Sequence, residues 1–360
     1  MKQKEIAEII QETFGLQPVF DGERVRWYED TIKEYEALHS GVGMRFMPQI
    51  YILKLSGADA PDFLHRITTN SIKDLAVGQT RKTIFTTDKG RILDSVLLLR
   101  QENHLLLFGA MAKKDIVSAW ISRYIIMDDV HIEDMTDKLS LLEISGGQLS
   151  SFATLLLGAG FSTHQPDTLQ KYDNVFEGLS VMFRKSRDGR ESVLLLFDHA
   201  LLADILAHLQ AIKVLFDFSF IGYDAAELYR IEQGIPESGE LSDDFNPHEV
   251  GLIHEVSFTK GCYIGQEVIA RLDTYDKVQK SLTGVVMENS VALTTPATVI
   301  DEDNKEVGKI TSVVKDLKSG YKGLAVIRKA YLSGDKDLFI LTDGKKHPVR
   351  IHALPFRKLV

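Results

Sequence analysis

The sequence is poor in cysteine, in long apolar runs and in net positive charge. Its 360 residues include one cysteine, Cys262, so an intramolecular disulfide and a self-contained zinc or iron–sulfur site are excluded. No apolar run approaches the roughly 18 residues of a membrane span, and neither secretion nor membrane insertion is expected. The 42 Lys and Arg against 51 Asp and Glu give a net charge of -9, without the basic footprint of a nucleic-acid-binding protein. We therefore expect a cytoplasmic protein with no direct nucleic-acid contact and no membrane contact.

Three short motifs that mark common enzyme classes are also missing. The sequence has no G-x-x-x-x-G-K-[ST] phosphate loop, no G-x-S-x-G nucleophile turn and no H-E-x-x-H zinc site. One polar loop carries side chains that could in principle hold a divalent ion, but their spacing matches no recognised ligand set: Glu237, Glu240, Asp243, Asp244 and His248. We predict no metal site.

The hydrophobic pattern predicts an α+β protein. A strand-like alternation after Gln49 leads into a helix ending near Ile67, two apolar strands and a second helix through Trp120. The same order recurs between Leu139 and Leu209, and beyond about residue 280 only short β-rich runs and turns remain. We predict two ferredoxin-like α+β modules and a small C-terminal β-barrel. The predicted division is an N-terminal helical arm over 1–45, a first module over 46–135 joined by 215–275, a second module over 136–214 and the barrel over 280–360.

The densest candidate for chemistry surrounds the single cysteine. The stretch reads Lys260-Gly261-Cys262-Tyr263-Ile264-Gly265-Gln266-Glu267 and is followed by Arg271. Val256 and Phe258 alternate into it like the end of a strand, and apolar residues leave it at helical spacing. Cys262 is therefore predicted on a turn before a helix N-terminus, where unpaired N–H groups and the Lys260 ammonium would favour the reactive thiolate. The alternative is an inert buried cysteine, which the polar and glycine-rich surroundings argue against.

A second candidate is Asp94, which lies within an apolar run. On a strand Asp94 shares a face with Ile92, Val96 and Leu98, so its carboxylate is held on an apolar surface. Such a carboxylate needs a partner, or it has a raised pKa suited to proton transfer or to orienting an amine. The alternative is a structural aspartate near the hairpin turn.

Two further residues are ambiguous from their positions alone. Arg230 lies at a predicted helix end before the polar loop, where it either grips an anionic or heterocyclic ligand or pairs with Glu227 one turn earlier. Asn70 follows the helix that contains Phe63 and by itself is only a candidate for the helix C-cap.

Together these segments resemble the folate-binding family that includes the glycine-cleavage T-protein, an aminomethyltransferase, and the YgfZ-type proteins of tRNA modification and iron–sulfur cluster assembly. The likeness runs from about residue 35 to the C-terminus. Residues 57–70 resemble the family's helix and Thr-Asn step, 90–94 its Gly-Gly-x-x-Asp-Asp strand, and 228–236 its Leu-Arg-Leu-Glu-Ala-Gly-Met-Pro stretch. The YgfZ-type signature, Lys-Gly-Cys-[Phe/Tyr]-x-Gly-Gln-Glu with a following Arg, is complete in this chain.

The resemblance implies a ring of three domains around a central channel that holds tetrahydrofolate or a derivative. It implies functional roles for Cys262 and Asp94 and folate contacts for Asn70, Asp94 and Arg230. It further implies an accessory protein that assists the assembly or repair of iron–sulfur clusters, with client or assembly proteins as partners, including radical enzymes that thiolate tRNA. Ser71 and Ser95 stand where T-proteins carry an aspartate after the asparagine of the Thr-Asn step and after the first aspartate of the strand motif, which weighs against aminomethyl transfer. The alternatives are a folate-dependent aminomethyltransferase that uses Asp94 and a binding scaffold without folate.

Overall fold

The N-terminal segment combines helices with short strands. The computed structural model describes residues 3–186, 189–237, 239–288, 293–318, 320–342 and 344–356. The first elements are α1 (Gln3–Phe14), β1 (Val19–Asp21), β2 (Arg24–Trp27), α2 (Thr31–His39) and β3 (Val42–Phe46). The carboxylate of Asp30 accepts from the amides of Ile32 and Lys33, which caps the N-terminus of α2.

The first α+β module follows as one antiparallel sheet with two helices. Its elements are β4 (Ile50–Ser56), α3 (Ala60–Ile67), β5 (Thr80–Thr86), β6 (Ile92–Arg100), β7 (His104–Ala110), α4 (Lys114–Tyr124) and β8 (His131–Asp134). The sheet order is β5-β6-β7-β4-β8. Without β5, the order and the two crossover helices are those of a ferredoxin-like fold. The predicted module is therefore present, with β5 added at one edge.

The second module repeats this arrangement with one inserted strand. Its elements are β9 (Leu139–Ser145), α5 (Leu149–Leu157), β10 (Thr168–Lys171), β11 (Ser180–Lys185), β12 (Glu191–Asp198), α6 (Leu202–Ile212) and β13 (Phe218–Phe220). The sheet order is β10-β11-β12-β9-β3-β13. Two strands outside the predicted range of 136–214 complete this sheet, because β3 pairs with β9 and β13 pairs with β3. The predicted boundaries at 45 and 215 differ from the sheet membership for this reason.

The C-terminal part is a closed barrel. Two helices precede it, α7 (Tyr223–Gln233) and α8 (Gln266–Thr274). The barrel strands are β14 (Lys280–Met287), β15 (Ala297–Ile300), β16 (Glu306–Lys315), β17 (Tyr321–Arg328), β18 (Leu338–Thr342) and β19 (Lys345–His352). They close in the order β14-β17-β16-β15-β18-β19, with β19 pairing back to β14. The predicted α+β class and C-terminal barrel are confirmed.

The two sheets pack face to face, which explains why β6 is apolar on both of its faces. Val96 and Leu98 face the helices of their own module, whereas Leu97 and Leu99 face the second sheet. The layer between the sheets contains Ile52, Leu97, Leu99, Leu106, Phe108, Leu141, Met182, Leu194 and Leu196. No helix in the described part of the chain has the length and apolar character needed to cross a membrane.

The segment before the cysteine differs from its prediction. Val256 and Phe258 are not part of a strand, and a short 3-10 helix, Ile253–Glu255, precedes them. The amide of Ser257 donates to the carbonyl of Thr69 at 3.0 Å, outside any regular ladder. Val256 is buried in a cluster that includes a residue of β5, whereas Phe258 is 44% exposed, so the alternation of apolar residues marks a loop and not a strand.

Candidate functional site

A cavity of about 1920 Å³ lies between the two sheets, α7 and the barrel. Its lining includes Asn70, Ser95, Arg230, Glu255 and Ser281, and the second sheet contributes residues of β9. Pockets for drug-sized ligands typically measure roughly 300–1,000 Å³, so this space can hold an extended ligand. The cavity is the candidate binding site of the protein.

Asn70 lies half-buried on the cavity wall with its amide held by the chain. Its Nδ2 donates to the carbonyl of Lys82 at 2.9 Å, and its Oδ1 accepts from the amide of Ser71 at 2.9 Å. The helix C-cap is Thr68, so Asn70 does not serve as the cap. These contacts hold the asparagine side chain against β5, on the cavity side.

Asp94 is fully buried and lies behind the cavity wall. Its Oδ2 accepts from the amide of Ala110 at 3.1 Å and from the hydroxyl of Tyr51 at 3.3 Å, while Oδ1 has no partner in the described residues. Burial raises the pKa of the Asp94 carboxyl to about 6, and the Ala110 amide opposes this shift. A Cβ at Gly109 would lie 2.6 Å from Oδ2, so only glycine fits beside the carboxylate.

The side chain of Asp94 points away from the cavity, so it does not contact a ligand there directly. Ser95, the next residue of β6, lines the cavity, and the alternation of a strand directs Asp94 to the opposite face. Tyr51, its hydroxyl partner, belongs to the core beneath that face. Asp94 is thus isolated from the cavity, although its raised pKa agrees with the sequence expectation.

Arg230 is occupied by carboxylates of the chain itself. Its guanidinium pairs with Glu227, Nε lying 3.0 Å from Oε2, and with Glu240 at 3.1 Å. Nη1 also donates to the carbonyl of Ile235 at 2.8 Å. The side chain is 5% exposed. This geometry favours the intrachain pair over the predicted grip on a ligand, because each nitrogen of the fork already has a partner.

Carboxylates of the polar loop after α7 also bind side chains of the same chain. Glu240 binds Arg230 and also accepts from the hydroxyl of Ser312 at 2.7 Å, while Asp244 pairs with Lys309 of the barrel at 2.8 Å. These contacts bind the loop to α7 on one side and to the barrel on the other. Within the described residues, no group of three or more His, Cys, Asp and Glu side chains could hold a metal ion.

Lys260 caps a helix. Its ammonium donates to the carbonyl oxygens of Thr68 at 2.6 Å and Asn70 at 2.8 Å and contacts that of His65 as well. These carbonyls belong to the end of α3 and the turn after it, where a cation compensates the unpaired acceptors. In the part of the chain that the structure describes, Lys260 makes no hydrogen bond to Cys262. The ammonium is therefore engaged at the end of α3, and its predicted effect on the thiol stays a prediction.

Of the remaining motif residues, some pack against the rest of the protein and others are exposed to solvent. Tyr263 is buried, and Gln266 contacts its amide through Oε1 at 3.4 Å. Gly265 has φ +85°, and a Cβ there would lie 2.6 Å from the carbonyl of Thr87. The exposed members are Gly261, Cys262, Glu267 and Arg271. Cys262 lies on the outer surface three residues before the N-cap of α8, and it is not among the residues that line the cavity.

One buried carboxylate on the cavity wall has no counterpart in the sequence predictions. Glu255 lies buried on the cavity wall, and the hydroxyl of Ser95 donates to its Oε2 at 2.5 Å. These two residues are 160 positions apart. No periodicity or motif marks Glu255, because its position depends on how the loop before the cysteine packs under β5.

The family of the chain follows from comparison with known proteins. The family model described as "GCVT N-terminal domain" matches residues 11–260. The chain belongs to this family. A chloroplastic protein of Arabidopsis thaliana that bears the name "putative transferase" is 31% identical over 315 residues, which cover 85% of this chain and 69% of that protein. The aminomethyltransferase of Chlorobium phaeobacteroides is 24% identical over 342 residues, covering 92% and 91%.

A solved structure of the same architecture confirms the predicted fold. The glycine cleavage system aminomethyltransferase T from Bartonella henselae superposes with a TM-score of 0.80 at 17% sequence identity. The superposition covers 98% of this chain and 97% of the other. The T-protein-like arrangement of two α+β modules and a barrel is therefore established. The family match ends at Lys260, where the cysteine motif begins.

Proposed function

We propose that the protein binds a reduced folate, tetrahydrofolate or a derivative, in the central cavity. The observation that carries this proposal is the cavity of about 1920 Å³ that is lined by both modules and the barrel of a T-protein-like fold. Its wall combines apolar side chains of the inter-sheet layer with polar groups at Asn70, Ser95 and Glu255. Such a mixture suits a ligand with a flat ring system and several hydrogen-bonding edges.

The exposed thiol points to a role toward a protein partner. Cys262 is exposed and lies outside the cavity lining, so it stays accessible while the cavity is filled. We propose that the protein belongs to the YgfZ-type branch and assists assembly or repair of iron–sulfur clusters in client enzymes, including enzymes that thiolate tRNA. One thiol supplies one ligand of the roughly four that a cluster needs, so Cys262 acts as a transient ligand or redox thiol together with a partner.

Binding of folate is tested by titration. The protein is titrated with tetrahydrofolate under anaerobic conditions in a calorimeter, and its melting temperature is recorded in parallel. A ligand that binds only the folded state raises the melting temperature increasingly as its concentration exceeds the dissociation constant. Saturable heat and a rising melting temperature are expected; neither effect at concentrations far above micromolar would overturn the proposal.

A second candidate function is aminomethyl transfer. Several relatives carry the name aminomethyltransferase, and a carboxyl with a raised pKa, Asp94, lies directly behind the cavity wall. The two candidates separate in cells that lack the protein, by rescue of iron–sulfur enzymes with Cys262→Ser and Asp94→Asn. We expect Cys262→Ser to lose rescue. Full rescue by Cys262→Ser together with failure of Asp94→Asn would favour the transferase.

A further inference from the structure

Glu255 is a buried carboxylate with few partners of its own. It ends the 3-10 helix Ile253–Glu255, lines the cavity, and its side chain is 5% exposed. Ser95 Oγ donates to Oε2 at 2.5 Å, and the nearest imidazole nitrogen, His254 Nε2, lies 3.9 Å from Oε1. The hydroxyl of Thr69 donates to the Glu255 carbonyl at 2.8 Å, which fixes the residue beside Asn70.

The other buried carboxylates in the described residues are compensated within the chain. Each of them accepts from a backbone amide or pairs with Lys or Arg: Glu34, Asp94, Glu232, Glu240, Glu249 and Asp301. Glu255 has neither kind of contact, and among the fully buried carboxylates that the structure describes it alone lines the cavity. A buried carboxylate that is bound by one hydroxyl leaves much of its desolvation cost uncompensated.

We propose that Glu255 is the carboxylate that receives the ligand. Its Oε1 accepts a hydrogen bond from an N–H donor of the bound molecule, the amino or ring N–H group of a reduced pteridine, while Ser95 holds Oε2. The proposal rests on the proposed folate function and names the group of the chain that recognises that ligand. It also explains why Ser95 faces the cavity: the serine hydroxyl orients a carboxylate contributed by a distant loop.

The test compares Glu255→Gln with the wild-type protein in tetrahydrofolate titration. Glutamine preserves the volume of the side chain and removes the charge, so charge-assisted acceptance from the ligand is lost. The dissociation constant should rise about tenfold or more. Glu302→Gln is the control: this carboxylate is exposed on the barrel and does not line the cavity, and we expect about the wild-type affinity, within roughly twofold.

Stability of the unliganded protein separates recognition from a structural role. Removal of an undercompensated buried charge should leave the melting temperature of Glu255→Gln equal to or above that of the wild type. A residue required only for folding would lower the melting temperature. Ser95→Ala should weaken folate binding in the wild-type background but have no further effect in Glu255→Gln, because a positioning hydroxyl acts through the carboxylate.

The outcomes distinguish this inference from the proposed function. If the wild-type protein takes up no tetrahydrofolate, the folate function fails and the role of Glu255 fails with it. If the wild type binds and Glu255→Gln binds equally well, the role of Glu255 alone is overturned. A parallel loss of affinity and melting temperature in Glu255→Gln would likewise assign the residue to folding.

Discussion

The ammonium of Lys260 donates a 2.8 Å hydrogen bond to the carbonyl oxygen of Asn70. Lys260 opens the cysteine motif, and Asn70 lines the central cavity. One side chain therefore connects the outer surface that carries Cys262 to the wall of the candidate folate site. The same ammonium also donates to the carbonyl oxygen of Thr68 at the end of α3.

Replacement of Lys260 should destabilise the fold. Lys260→Met keeps the apolar stem and leaves three carbonyl oxygens without their donor, each a loss of about 1–3 kcal/mol where water cannot replace it. We expect urea unfolding to show a loss of about 2 kcal/mol or more. Lys277→Met, at an exposed position after α8, is the control and should stay within about 0.5 kcal/mol. Equal behaviour of the two variants would exclude the capping role.

Asp94 should make stability depend on pH. Its pKa is raised from 3.8 to about 6, so between these pH values the folded protein holds a proton that the unfolded chain has released. The Asp94 contribution to stability is complete below pH 3.8 and is lost as the pH rises through about 6, by about 3 kcal/mol. Asp94→Asn lacks this loss, so its stability relative to the wild type should increase between about pH 4.5 and pH 7.5. Parallel pH curves from urea unfolding would contradict the assignment.

The two glycines of the cysteine motif should differ in how much their replacement by alanine changes stability. Gly265 has φ +85°, and an added Cβ would lie 2.6 Å from the Thr87 carbonyl, so Gly265→Ala should cost about 2–4 kcal/mol. At Gly261 an added Cβ meets nothing within 4 Å, and Gly261→Ala should change stability by less than about 1 kcal/mol. Thermal unfolding of both variants makes the comparison. A tolerated Gly265→Ala would mean that the motif is not docked against the turn at Thr87.

Arg230 and Arg26 each form an ion pair with a carboxylate of α7, and the two pairs differ in burial. Arg230 is buried with Glu227 and Glu240, whereas Arg26 binds Asp224 at the surface, where its side chain is 45% exposed. Arg230→Met leaves buried carboxylates unpaired and should cost about 3–5 kcal/mol; Arg26→Met should cost about 1 kcal/mol or less. Urea unfolding measures both. A stable Arg230→Met variant that failed to bind tetrahydrofolate would instead support direct contact between Arg230 and the ligand.

Local patterns were sufficient for most secondary-structure elements. The apolar spacing within Leu149–Leu157 predicts a helix, and α5 has these bounds, since four apolar residues per two turns define its buried face. Strand β13 was missed because Phe218–Phe220 is too short to show a period of two. Its place in the second sheet depends on pairing with β3, which lies more than 170 residues earlier in the chain.

The sequence by itself determined the fold class, the turn that carries Cys262 and the apolar strand that contains Asp94, because these depend on periodicity and on neighbouring residues. Only the tertiary structure decided that Asp94 lies behind the cavity wall, that Arg230 is occupied by Glu227 and Glu240, and that Glu255 meets Ser95. The reason is physical: burial and pairing of a polar group depend on segments far apart in the chain. The single cysteine could be placed on its turn from local pattern alone, but its exposure on the surface outside the cavity required the packing of both modules.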